Sequence, residues 1–209
     1  MGYQDLIKKY EGNTVLRVIV NLIPYVGGSI DVALSNWSQI KQRRAEELLG
    51  DINKELQGTQ EESINKEYLA SEEFYDLIYQ IVNHALANRC PETRIAYAKI
   101  VKSAILGEET TANLEDIIRQ IEGIKEKDID FLRAMKNVMD LGEKLTGESL
   151  SVNTTSGGRV YDSLECERML YRFENLGLLD HPRNMLKKRG TMTFEKLPLF
   201  DKLVSFLGL

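Results

Sequence analysis

The sequence predicts a mainly all-α protein, a multi-helix body followed by a small winged-helix-like C-terminal module with a short β-hairpin. Three observations carry that prediction. Apolar residues recur at helical spacing in five or more stretches, only 4 prolines interrupt 209 residues, and one short hairpin signal stands near the end of the chain. A composition of 43% hydrophobic and 28% charged residues is ordinary for a folded, helix-rich chain. The length allows one domain with a good-sized core, or a larger domain plus a small one.

Residues 3–11 read as a short amphipathic helix ended by Gly12, and Asn13-Thr14 offer an N-cap for a helix over 15–23. That second helix is apolar nearly all round, from Val15 to Ile23, so it is predicted to be buried. Pro24 lacks a backbone donor and is expected to stop it. Gly27-Gly28 then permit a tight turn, and Ser29 can cap a long helix over residues 30–56. On that helix Ile30, Ala33, Leu34, Trp37 and Ile40 mark one face, which resumes at Ala45, Leu48, Ile52 and Leu56. Residues 1–56 thus form a first unit, a helical hairpin and a long helix. Lys41 and Arg44 fall inside its apolar arc. Their stems can cover apolar surface, or their charged heads can bind an acidic partner or phosphate.

Residues 57–70 are polar and read as a linker. Ser71 is placed to cap a helix bearing Phe74, Leu77, Ile78, Ile81, Val82 and Ala85, with His84 at the margin of that arc. Cys90-Pro91-Glu92 is a helix start, and the helix ends at Gly107. A stripe at Leu114, Ile117, Ile118, Ile121 and Ile124 completes a three-helix unit. A further helix over 127–146, through Ile129, Leu132, Met135, Met139 and Leu145, extends the bundle to residues 71–146. Residues 147–159 have the Gly/Ser/Thr/Asn content of an exposed loop. A stripe through Cys166, Met169, Leu170, Phe173 and Leu176 follows, then Leu178-Leu179, the turn at His181-Pro182, a basic stretch over 183–189 and a closing helix. Residues 127–209 therefore read as the winged-helix-like module, sharing helix 127–146 with the bundle.

No charged segment followed by a cleavable apolar run opens the sequence, and the most apolar stretch, 18–34, contains Asn21, Pro24 and Asp31. The two cysteines, Cys90 and Cys166, stand far apart inside or beside helical patterns, as buried or capping thiols of a reducing cytoplasm do. With only two histidines, and no metal-ligand, nucleophile-elbow or phosphate-loop spacing, the chain is expected to be non-enzymatic, with no catalytic residue, metal or cofactor.

Two binding surfaces remain. Net charge is −5, but residues 157–209 carry nine Lys/Arg against seven Asp/Glu, or +2, which leaves −7 for the rest. Arg183, Lys187, Lys188 and Arg189 with Asp180 give the hairpin +3, suited to an acidic partner or to DNA phosphate. The candidate recognition helix 162–176 carries Asp162, Glu165, Glu167 and Glu174 against Arg168 and Arg172, or −2, which opposes DNA. Near the other end, Val20, Ile23, Pro24, Tyr25, Gly27, Gly28 and Trp37 read as a packed hairpin tip, or as a membrane or oligomer contact released by a conformational change.

The segment IPYVGGSID, the K-x-x-R helix after it, the SEEF and ETRIAYAKI helices and the terminal LGLL module resemble uncharacterised bacterial proteins of the abortive-infection alpha type. The resemblance implies a cytoplasmic bacterial protein concerned with phage defence. It transfers no catalytic residue. The residues themselves, lacking any catalytic pattern, lead to the separate expectation of an interaction or effector protein acting on a protein partner or a second copy of itself. The competing expectation is a winged-helix DNA-binding regulator.

Overall fold

Ten α-helices and one two-stranded antiparallel hairpin make up a computed structural model that describes residues 8, 10, 12–26, 39–153, 161–181 and 192–209. About three quarters of the described residues are helical. The chain divides into two compact units, Met1–Ile118 and Arg119–Leu209.

In the first unit, α1 (Thr14–Val26) starts where predicted, with the Asn13 side chain accepting from the Leu16 N–H at 3.1 Å. It runs on through Pro24 instead of stopping there. A proline so near a helix end removes a single i→i−4 bond, and two further residues keep helical backbone. Its burial is one-sided: Val15, Leu16, Ile19 and Val20 are buried, whereas Arg17 and Asn21 are exposed and Val18 is half-buried. Helix α2 (Gln39–Glu55) buries Ala45, Leu48, Leu49 and Ile52 as its stripe requires, but Ile40 is 50% exposed and lies outside the core. The turn at Gly27-Gly28, Ser29, and the apolar positions Ile30 to Trp37 lie outside the described residues.

The polar linker is more ordered than its composition suggests. It holds a 3-10 turn at Glu61–Ser63 and a one-turn helix α3 (Lys66–Leu69), and it buries Leu69. Helix α4 (Glu72–Ala87) has the expected cap, Ser71 Oγ accepting from the Phe74 N–H at 3.1 Å. Helix α5 (Pro91–Leu106) has proline in its first turn and ends on left-handed Gly107. Between α2 and α5, Arg94 Nε donates to Asp51 at 2.7 Å while its Nη1 donates to Glu47. Glu47 is therefore an interhelical partner of Arg94. The stripe of α6 (Thr111–Gly123) is buried as predicted at Leu114, Ile117, Ile118 and Ile121, with Ile124 just beyond.

The second unit corrects two boundaries. Helix α7 (Glu126–Asp140) ends six residues before the predicted 146. Gly142 takes the left-handed conformation (φ +71°), with Glu143 N–H donating to Val138 O at 3.0 Å and Gly142 N–H to Met139 O at 2.9 Å. Those two bonds satisfy the last carbonyls and close the helix. Leu145 consequently leaves the helical stripe and bridges Phe194 in antiparallel fashion. Residues 147–153, expected as loop, form helix α8 (Gly147–Asn153) with Leu150 fully buried. Thr146 and Ser149 cap it reciprocally, at 3.0 and 2.9 Å. Helix α9 (Ser163–Asn175), strands β1 (Leu179–Asp180) and β2 (Glu195–Lys196) and helix α10 (Pro198–Leu207) follow. The strands pair Leu179 with Lys196 and Asp180 with Glu195. The second unit thus runs helix α7, the bridging residue Leu145, helices α8 and α9, the two-stranded hairpin and helix α10.

Neither Cys90 nor Cys166 is in a disulfide, and both are buried. Burial, then the neighbouring Glu92 carboxylate, which accepts from the thiol at 3.2 Å, push the Cys90 thiol above its ordinary 9.0 despite opposing backbone bonds. A thiol reagent at pH 8 is expected to leave both cysteines unmodified in the native chain and to label both in denaturant. Because the folded value is raised, the stabilisation is intact below pH 9 and is lost as pH rises through the higher folded value. Urea midpoints of the native chain and Cys90→Ala should therefore diverge less at pH 10 than at pH 8.

Candidate functional site

Helix α9 positions the candidate site, and its sequence explains why each side points where it does. Asp162 caps it, accepting from Glu165 N–H at 2.7 Å, while the Glu165 side chain returns to the Asp162 N–H at 3.4 Å. The two carboxylates thus occupy the positive end of the helix dipole, where a phosphate would otherwise be attracted. Cys166, Leu170 and Phe173 form the inner face and are wholly buried.

Arg172 also turns inward. Its Nη1 donates to Asp128 Oδ1 and its Nη2 to the Gly123 carbonyl at 2.6 Å. Asp128 is completely buried, and its other oxygen accepts from Lys125 N–H at 2.7 Å. The guanidinium therefore joins α9 to the start of α7, and the fork satisfies a carboxylate and a carbonyl together.

The outward side carries Leu164, which is 40% exposed, Arg168, exposed, and Tyr171. With Glu167 and Met192 they line an open hollow of about 340 Å³. Its far wall is the base of the hairpin. The rings of Tyr171, His181 and Phe194 stand 5.2–5.4 Å apart, centroid to centroid. The Tyr171 hydroxyl donates to the Met192 sulfur, and His181 Nδ1 lies 2.6 Å from Glu174 Oε1. His181 follows β1 and Phe194 precedes β2, so both strands are pinned to one helix. Burial, then the Glu167 and Glu174 carboxylates, push the Tyr171 phenol above its ordinary value and keep it a neutral donor. Among the described residues, the arrangement offers a shallow, largely apolar surface lined also by the Arg168 cation. Among the described residues, no three His, Cys, Asp or Glu side chains come together as metal ligands.

The other residues singled out from sequence are dispersed. Lys41 is exposed. Arg44 Nη1 donates to the Leu86 carbonyl at the C-terminal end of α4, where unsatisfied carbonyls favour a cation. Val20 is 1% exposed and belongs to the core of the first unit. Ile23, Pro24 and Tyr25 have helical backbone, but their side chains lie outside the described residues, as do Gly27, Gly28, Trp37, Arg183, Lys187, Lys188 and Arg189 in full. Among the described residues no helix is long and apolar enough to cross a membrane.

Sequence reasoning missed Leu164, Tyr171, Met192 and Asp128. Leu164 and Tyr171 are seven residues apart and off the core stripe, which was the available signal for an outward apolar face. Asp128 carried none, because an acid in a first turn reads as a solvated cap charge.

No family model, curated protein or solved structure matches this chain.

Proposed function

We propose that this chain is a non-enzymatic interaction protein, a bacterial effector concerned with phage defence as its resemblance implies, which docks a protein partner through the outer face of α9 and the hairpin base. One observation carries the choice of docking over DNA reading: Arg172 is committed to Asp128 and Gly123, inside its own unit. Groove reading by a winged helix needs donors on the exposed side of the recognition helix and cations against phosphate. Arg168 is the remaining basic side chain of α9, and the helix N-terminus is already occupied by Asp162 and Glu165. A half-buried tyrosine and a methionine are instead residue types enriched at protein interfaces, and the exposed Leu164 beside them adds apolar area. The basic stretch of the sequence with Arg183, Lys187, Lys188 and Arg189 has the charge to suit acidic groups on that partner.

The competing reading is a DNA-binding regulator using the same segment plus Arg168. A titration with random-sequence duplex DNA at low salt separates the two. The expected result is no binding at concentrations on the order of micromolar. Micromolar binding that weakens steeply with added salt would overturn the docking reading.

A further inference from the structure

We infer that the outer face of α4, with the hollow beside it, docks a basic amphipathic helix of a partner protein. Tyr75 and Tyr79 stand one turn apart on that face, 42% and 39% exposed, with their rings stacked at 6.5 Å between centroids. Beside Tyr75 an open hollow of about 280 Å³ is lined by Val18 of α1, Leu69 of α3, and Glu72 and Phe74 of α4. Leu69 and Phe74 are already packed in the first unit, so the apolar area left to cover is that of half-buried Val18 and the two tyrosines. Each tyrosine ring limits the rotation of the other, so little ordering is added on binding. Aromatic side chains of this kind are enriched at protein interfaces.

The charge around these rings selects the occupant. Helix α4 holds Glu72, Glu73 and Asp76, all exposed, and no lysine or arginine. Glu72 precedes Tyr75 by three residues and Asp76 precedes Tyr79 by three, so each ring has a carboxylate beside it on the helix surface. Glu67 of α3 adds a fourth carboxylate. Against them α1 and α3 supply the cations Arg17 and Lys66, and Lys66 is paired with Glu61 at 3.8 Å. A guanidinium or ammonium group is drawn by the ring faces and by the carboxylates together. DNA, an anionic bilayer or the same face of a second copy meets repulsion instead. The fitting partner therefore presents arginines or lysines at helical spacing, with an aliphatic side chain that enters the hollow beside Tyr75.

The test uses the full chain and the fluorescence polarisation of a labelled synthetic helix with arginines on one face and leucines on the other. Binding is expected at a concentration on the order of ten micromolar, weakening as salt is added. A peptide with glutamate at every arginine, and one with alanine at every leucine, should each bind roughly tenfold more weakly or worse. Tyr75→Ser with Tyr79→Ser should lose affinity by about tenfold, and so should Glu72→Gln with Asp76→Asn. Glu62→Gln with Glu143→Gln removes the same charge at exposed positions elsewhere and should bind as the native chain does. All these positions are exposed, and circular dichroism matching the native chain confirms that the variants fold. None of these readouts depends on α9, whose docking can fail without touching the result. Failure of the arginine–leucine peptide to bind overturns the inference. Equal binding of the alanine peptide, native affinity in the tyrosine variant, or an equal loss in the Glu62 and Glu143 variant would reduce the face to diffuse negative charge and overturns it too. So does self-association of the native chain that the tyrosine variant abolishes, which would seat a second copy there.

Discussion

Replacing Arg172 with alanine is expected to destabilise the C-terminal unit by about 3 kcal/mol, read as a fall in the urea midpoint by far-ultraviolet circular dichroism. The loss comes from what remains behind. Asp128 is fully buried, and without the guanidinium its Oδ1 has no charge partner, while the Gly123 carbonyl loses the donor at 2.6 Å. Breaking a buried pair by removing one member typically costs about 3–5 kcal/mol; the lower end applies because the Arg172 side chain is 30% exposed and keeps part of its hydration. Against a typical domain stability of about 5–15 kcal/mol, this is a large fraction. A second variant isolates the cause. Arg172→Met with Asp128→Asn removes both charges yet leaves an amide oxygen to accept from Lys125 N–H, so it should recover most of the lost stability. A double variant no more stable than Arg172→Ala would show that Arg172 acts through packing of its stem instead of its charge.

The same pair marks where the sequence stops being legible. Local signals were read correctly because their physics is local: Ser71 before Glu72-Glu73-Phe74, Pro91 at a helix start, Gly107 at its end, and the unbroken stripe from Leu114 to Ile124. Each needs only neighbours within one or two turns. The end of α7 was misplaced because Leu145 seemed to prolong the run of Met135 and Met139, although Gly142 carried the stop signal. Helix α8 was hidden by composition, since Gly147, Ser149 and Asn153 read as loop residues. The Thr146–Ser149 cap and the buried Leu150 are what make it a helix. The candidate site was harder still. Whether Arg172 faces solvent or the core depends on Asp128, 44 residues earlier, and no spacing rule reaches that far. The hairpin base gathers Tyr171, His181, Met192 and Phe194 only because two short strands return to α9. A histidine and an aromatic near a turn gave no reason to expect that cluster.

Gly147→Ala is expected to destabilise the chain by about 2 kcal/mol, a sign opposite to that of the same change in an open helix. Alanine is the better helix former by up to about 1 kcal/mol, so propensity alone predicts a gain. At Gly147, however, a Cβ would clash with the Ser163 backbone carbonyl and stand 3.3 Å from the Glu167 Cβ. The first contact is with backbone and cannot be relieved by a rotamer change, so α8 and the start of α9 must separate. Overpacking of this kind costs about 1–3 kcal/mol and outweighs the propensity term. Gly50 supplies the control. It lies inside α2, and a Cβ there meets nothing within 4 Å. Gly50→Ala should accordingly stabilise by about 0.5–1 kcal/mol, partly by restricting the unfolded chain. Urea midpoints of the two variants, moving in opposite directions from the native value, are the measurement. Gly147→Ala at or above the native midpoint would mean that α8 can withdraw from α9 at no cost. The displacement also bears on the site, because Ser163 and Glu167 flank Leu164, and Leu164 and Glu167 line the outer hollow with Arg168, Tyr171 and Met192. A helix pushed outward at its first turn alters the spacing between Leu164 and the hairpin base. On the proposed docking reading, Gly147→Ala should therefore also weaken partner binding even under conditions where the chain remains folded.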